Sequence, residues 1–303
     1  MRIFSLLFLL LSCQSVMAAL NIKQVAKGIY VHQGVIAVPN THNHDEIANI
    51  GFIVGKQCVA VIDSGGNPKQ GAMLKKAIEK ITKTKICYVI NPHGHPDHIF
   101  GNRVFENIPN IQFIGHKKLA RAMAVRGSFY IARSKEQMGI KLRDKDIIPP
   151  TVAVKNTLRL DLGGRTLVLT AHPTAHTDND LTVFDEATET IWLSDLLFIS
   201  HLPVLDGSIK GWLAEIEKLE KRQFDVVIPG HGAIDRNWPE GMQAEKSYLQ
   251  NLAQEMRLKI KQGIFLEDVL REFDQSAAQG WLLFNDFHKK NLSSAYAELE
   301  WED

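Results

Sequence analysis

Ile86 to Asn102 reads ICYVINPHGHPDHIFGN, an apolar run that ends in a crowd of metal-binding side-chain types. Ile86 to Ile90 is β-branched and aromatic and is bounded by Asn91-Pro92, so it predicts a buried strand whose C-terminal end reaches the surface. The residues that follow lie on a strand-to-helix loop. His93, His95, Asp97 and His98 fall within six residues, and neither helical nor strand periodicity gives a reason to gather imidazoles there. A metal ion gives one. Alternate spacing sends His93 and His95 the same way, while Asp97 and His98 face a second position, so the spacing predicts a binuclear site. Burying several imidazoles and a carboxylate together is costly unless they are paired or coordinate an ion. A surface loop that happens to be rich in histidine is the plain alternative.

Upstream, Met1 to Ala19 has a charged start at Arg2, the apolar run IFSLLFLLLSC and a small-residue end, the three regions of a secretory signal removed from the mature protein. Leu10-Leu11-Ser12-Cys13 also resembles a lipoprotein cleavage box, which would place a lipid on Cys13. The apolar run is too short to anchor in a bilayer, and no later stretch approaches the ~20 apolar residues of a transmembrane helix. The expectation is a periplasmic or secreted protein. Cys58 and Cys87 each sit in an apolar strand-like run. They pair if their strands are neighbours and remain buried thiols if not. A formal net charge of +1 leaves no extended basic stripe, which argues against nucleic acid and for a small-molecule substrate.

Strands are predicted at Ile29 to Val38, Ile47 to Val54 and Cys58 to Ile62, then a helix from Pro68 to Lys83 on the spacing of Met73, Leu74, Ala77, Ile78 and Ile81. Ile111 to Gly115 adds a strand, and Leu119 to Gly139 reads as a helix rich in Arg and Lys, either a lid or a solvated face. The second half repeats the style. Thr157 to Leu162 and Thr166 to Thr170 form a hairpin about Gly163-Gly164, followed by strands Leu181 to Phe184 and Thr190 to Leu193, a helix Gly211 to Arg222 and a strand Val226 to Ile228. His176 precedes one of these strands, Asp195 follows another, and His231 follows the last. Helical spacing over Met242 to Ile260 and Phe265 to Phe273 predicts that residues 241–303 form a helical extension packed on a domain of residues 20–240.

His93-Gly-His-Pro-Asp-His98, Ala175-His-Thr-Asp-Asn-Asp180, Ser194-Asp-Leu-Leu-Phe198 and Pro229-Gly-His-Gly232, in that order, resemble the metallo-β-lactamase superfamily. The resemblance implies an α/β fold, an αββα sandwich with additional C-terminal helices, and a site for two Zn2+. It also implies the ligand sets: His93, His95 and His176 for one ion, Asp97, His98 and His231 for the other, and Asp195 as the bridge.

Zinc lowers the pKa of a bound water toward about 7 and two ions clamp attacking and leaving oxygens, so hydrolysis is the economical use of such a site, with Asp97 orienting the nucleophile or passing on its proton. Asp63, at the end of the strand beside the motif, is a candidate to fix a ligand imidazole, or else a helix cap. The superfamily's true β-lactamases lack an aspartate at the position of Asp195, which resembles instead the thioesterase, glyoxalase II and related hydrolase groups. Ile199 to Leu213, ISHLPVLDGSIKGWL, resembles the exported branch found with quinoprotein dehydrogenases and sulfur-oxidation genes, the quinoprotein relay system zinc metallohydrolases. That implies a functional link to a periplasmic quinoprotein dehydrogenase. Three rival readings stand beside a zinc hydrolase: a persulfide dioxygenase with one Fe2+ and an empty second site, a β-lactamase, and a non-catalytic metal or ligand-binding accessory. Two loops are the candidate substrate contacts, Pro39 to Glu46 with His42 and His44, and Ser200 to Lys210 with His201, Asp206 and Ser208.

Overall fold

The computed structural model describes residues 20–273 and 280–302. The expected leader, with Cys13, lies outside the described residues. The first sheet holds β1 (Ile22–Ala26), β2 (Ile29–His32), β3 (Ile50–Val54), β4 (Val59–Ile62), β5 (Ile86–Asn91), β6 (Gln112–His116) and β7 (Val152–Val154), side by side in chain order. β1 to β4 are an antiparallel meander, and β4 to β7 run parallel. The second sheet has the order β12-β11-β10-β9-β8, from β8 (Thr157–Asp161), β9 (Thr166–Ala171), β10 (Leu181–Asp185), β11 (Thr190–Phe198) and β12 (Val226–His231). Only its β11–β12 pair is parallel.

Side chains alternate faces along a strand, and here both faces of each central strand are covered. In β4, Ala60 and Ile62 point between the sheets, where they meet Leu167, Leu169, Val183 and Trp192. Val59 and Val61 point the other way, onto Leu74 and Ile78 of α1 (Pro68–Ile81). β11 does the same in mirror fashion: Trp192 lies between the sheets, while Ile191 and Leu193 pack outward on the helices beyond. The layers are therefore helix, sheet, sheet, helix. α1 begins where Asn67 accepts a hydrogen bond from the Gln70 amide and Pro68 takes the first turn, whose amides have no helical partner in any case.

The remaining helices are α2 (Pro96–Ile99), α3 (Leu119–Met138), α4 (Ile209–Leu219), α5 (Gln243–Lys261), α6 (Leu266–Arg271) and α7 (Phe284–Leu299). α4, α5 and α7 pack on the outer face of the second sheet through Trp212, Ile216, Leu249, Leu252 and Leu292, all at most 2% exposed. Side chains this deeply buried each contribute about 1.5–3 kcal/mol relative to exposure. Cys58 and Cys87 are disulfide-bonded, which neighbouring parallel strands allow because Val59 of β4 is in register with Ile86 of β5.

Three differences from the sequence reading matter. β2 stops at His32, with seventeen residues between it and β3, because side-chain hydrogen bonds shape the intervening chain: Asn40 Oδ1 accepts from the His42 and Asn43 amides, and Asn49 accepts from the Gly34 amide. The short edge strands β1 and β7 carry too few residues to show a period. β11 runs on to Phe198, so Asp195 lies inside a strand rather than after one.

Candidate metal centre

The C-terminal ends of β5 and β12 and the distal half of β11 open onto one edge of the sandwich. Strand β5 delivers His93 and His95 on the following loop, and α2, a single turn led by Pro96, carries Asp97 and His98. His176 comes from the β9–β10 connection, Asp195 from β11 and His231 from the last position of β12. The register of β11 against β12 shifts on either side of Ser194, whose φ of 49° breaks the pleat and turns Asp195 toward the edge. Gly230 is required beside it, since a Cβ there would lie 1.8 Å from Asp195 Oδ1.

These residues form two adjoining groups, His93, His95, His176 and Asp195 in one and Asp97, His98 and His231 in the other, with ligand atoms within 4.8 Å of one another in each. In the first group His95 Nδ1 is 3.1 Å from His93 Nε2 and 3.2 Å from His176 Nε2, and Asp195 Oδ2 is 3.6 and 3.4 Å from the same two Nε2 atoms. In the second, Asp97 Oδ2 lies 3.4 Å from His98 Nε2 and 3.3 Å from His231 Nε2. Asp195 spans both, with Oδ1 3.2 Å from His98 Nε2 and Oδ2 3.4 Å from His231 Nε2. Ligands at about 2.0–2.1 Å from a tetrahedral ion stand roughly 3.3–3.4 Å apart, so the spacing is that of a coordination shell. Convergent imidazole nitrogens facing one another have no other economical use.

The far nitrogens of four of the five imidazoles are held as well, which sets their tautomers. His176 Nδ1 donates to the Val204 carbonyl at 2.7 Å and His231 Nδ1 to that of Ile47 at 3.1 Å. His95 Nε2 faces Asp206 Oδ2 at 3.0 Å, and His98 Nδ1 faces Asp63 Oδ1 at 2.9 Å. Asp63 thus stands behind the candidate ligand His98, and Asn67 takes the capping role.

Charge is distributed to match. Burial disfavours ionising Asp97 and Asp195, but His98 and His231 override it and hold both carboxyls well below the usual range. Burial, then His98, keeps His93 neutral, and burial takes His176 down to about 3, so both present lone pairs. Asp97, Asp63 and Asp195 raise His98 against its burial, and Asp195 and Asp97 raise His231 to about 10. A nest of carboxylates that draws protons onto imidazoles is one that a dication would satisfy better.

The candidate substrate residues divide. A cavity of about 410 Å³ opens over the ligands, and His201 and Asp206 line it. His201 is buried, with Nδ1 donating to the Leu202 carbonyl at 2.6 Å and its ring 5.0 Å from that of His231. Asp206 faces His95 and pairs with Arg126 and Lys290. Ser208 is engaged elsewhere, accepting from the Gly211 amide as the cap of α4 and donating to Glu298. His42 is exposed and His44 half-buried, and neither lines the cavity. That loop instead contributes Pro39 and the buried Asp45, held in the left-handed region at φ 68°. The sequence reading passes over Asp45 because an aspartate beside a turn is ordinary. It offers α3 as a lid or a solvated face without singling out residues; Arg126, Phe129, Tyr130, Arg133 and Gln137 line the cavity from it at helical spacing.

The metallo-beta-lactamase superfamily model matches residues 45–231, more than half of the chain. The chain belongs to that superfamily. Solved structures agree in fold: a metallo-beta-lactamase from Pontibacter korlensis aligns with a TM-score of 0.61 at 17% identity over 76% of this chain and 98% of that one. The DIM-1 metallo-beta-lactamase exposed to ceftazidime gives 0.60 at 16% identity over 77% and 98%. Among curated proteins, a linear primary-alkylsulfatase of a Pseudomonas species is 22% identical over 216 residues, 60% of this chain. The match spans 40% of that protein's length. Among the described residues no helix is long and apolar enough to cross a membrane.

Proposed function

We propose that this superfamily member is an exported metallohydrolase with two zinc ions, cleaving an ester, thioester, lactone or similar small substrate in support of a periplasmic quinoprotein dehydrogenase pathway. One observation carries the reading: both ligand groups are complete and Asp195 belongs to both, within 3.6 Å of donors in each. His93, His95 and His176 would hold one ion, Asp97, His98 and His231 the other. Bound there, zinc makes water acidic enough to attack at neutral pH and polarises the oxygen of the scissile group. The protein's own part is placement. Asp195 fixes the spacing of the two groups, and Asp97, ionised at neutral pH, is positioned to orient the attacking water and take its proton. His201 lines the same cavity and is kept neutral by burial with its Nδ1–H given to Leu202, so its other ring nitrogen can only accept, from a substrate N–H or O–H. The filled second group argues for zinc over a single iron. The alkylsulfatase relative adds sulfate esters to the candidate substrates.

The test is turnover by protein purified from the periplasm, against thioesters, lactones, phosphodiesters, sulfate esters and β-lactams. Zinc-dependent cleavage of a member of one class, abolished in Asp97→Asn, is expected. No cleavage of any class by the fully metal-loaded protein would favour the accessory-protein reading.

A further inference from the structure

The cavity over the metal ligands has walls from two helices, and only one lies within the span of the family model. α3 contributes Phe129 and Arg133, while α7, beyond residue 231, contributes Phe287 and Lys290. Phe129 is 63% exposed at the cavity mouth, and Val125 one turn earlier on α3 is 72% exposed, so the rim of the cavity carries an apolar pair. Phe287 faces the cavity from the other side, its ring stacked on that of His201 at 5.3 Å.

Charge follows the same two walls. Asp206 is matched by two cations, Arg126 and Lys290 at 3.5 Å, so this corner carries more cation than anion. Arg133 donates through Nε to Gln137 at 2.8 Å; among the described residues no carboxylate lies within ion-pair distance of it, and the carboxyl that feels its charge is the buried Asp45 on the wall of the same cavity. Its two terminal nitrogens therefore keep a planar pair of donors available, the geometry that takes a carboxylate, sulfate or phosphate in two hydrogen bonds.

We propose that α3 and the C-terminal helix α7 form a clamp that selects an amphiphilic anion: Arg133, aided by Lys290, holds the anionic group, and Phe129 and Phe287 enclose an apolar body. The C-terminal helices are then a specificity element of the site. The hydrolase reading enters only in making this ligand a substrate, and binding is measured without turnover, so failure of either is distinguishable.

The probes are octanoate, octanamide and acetate, titrated calorimetrically into the metal-loaded protein with its zinc content measured alongside. Octanoate should bind at least about tenfold more tightly than octanamide, the scale of a charge-assisted bidentate contact. The double variant R133Q/K290Q should lose that preference with zinc content unchanged, and F129A/F287A should lose most of the advantage of octanoate over acetate. Octanoate binding R133Q/K290Q as tightly as wild type would overturn the clamp, because the carboxylate would then be sitting elsewhere. Equal binding of octanoate and octanamide to the wild type would overturn it as well.

Discussion

Replacing Asp63 by Asn asks how much of the second metal group depends on a residue that touches no metal. Asp63 is fully buried, and its Oδ1 sits 2.9 Å from His98 Nδ1. Burial lifts its carboxyl to about 6, against the pull of His98, so it is ionised at neutral pH. Its φ of 55° is a conformation that asparagine adopts readily, so the substitution spares the backbone. The amide oxygen can still accept from Nδ1–H and keep the tautomer, but the negative charge that makes Nε2 a better donor is gone. Losing such a carboxylate costs about 10–100-fold in metal affinity, or roughly 1.4–2.7 kcal/mol. Titration against competing chelators, which separates the two binding steps, should show the weaker step weakened by that factor and the other nearly unmoved. Second-step affinity within about twofold of wild type, in a folded variant, would refute the role given to Asp63.

Asp206→Ala should weaken the first metal group about tenfold through loss of its hold on His95; unchanged zinc affinity with a raised KM would instead make Asp206 a substrate contact. Cys58→Ser/Cys87→Ser opens a loop of 29 residues and should cost about 3–4 kcal/mol on loop entropy, read from denaturant unfolding. His288, buried and accepting from the Tyr248 hydroxyl, is pushed down to about 4 by burial. The unfolded chain therefore takes up its proton first as pH falls below about 6.5, and stability is lost from there down to about 4, roughly 2 kcal/mol by pH 5. His288→Gln should flatten that part of the pH–stability profile, and an unchanged slope would assign it to other groups.

The candidate metal-binding groups are legible in the sequence because coordination needs rare residue types at close spacing, and because a strand end followed by Asn91-Pro92 marks where the chain leaves the sheet. Asp195 is visible as a residue type, but its place inside β11 is not, since the bulge at Ser194 is a tertiary feature matched to Gly230 on the neighbouring strand. The loop before β3 reads as a substrate contact on its histidines, whereas its side-chain hydrogen bonds turn Asp45 inward and leave His42 in solvent. Arg133 and Lys290 lie far apart in the chain, and their meeting across one cavity depends on how α7 docks on the second sheet, which no local pattern encodes. The apolar spacing over Met242 to Ile260 and Phe265 to Phe273 predicts that the extension packs; Lys290, which α7 carries to the cavity, is indistinguishable from a solvated face until that docking is known.

Elemental analysis of the protein as purified, without added metal, reaches the central claim most directly. Two zinc ions per chain are predicted, with Asp195→Ala retaining its fold and falling below two because each group loses the carboxylate they share. One iron and no zinc, or two tightly held zinc ions in Asp195→Ala, would contradict it.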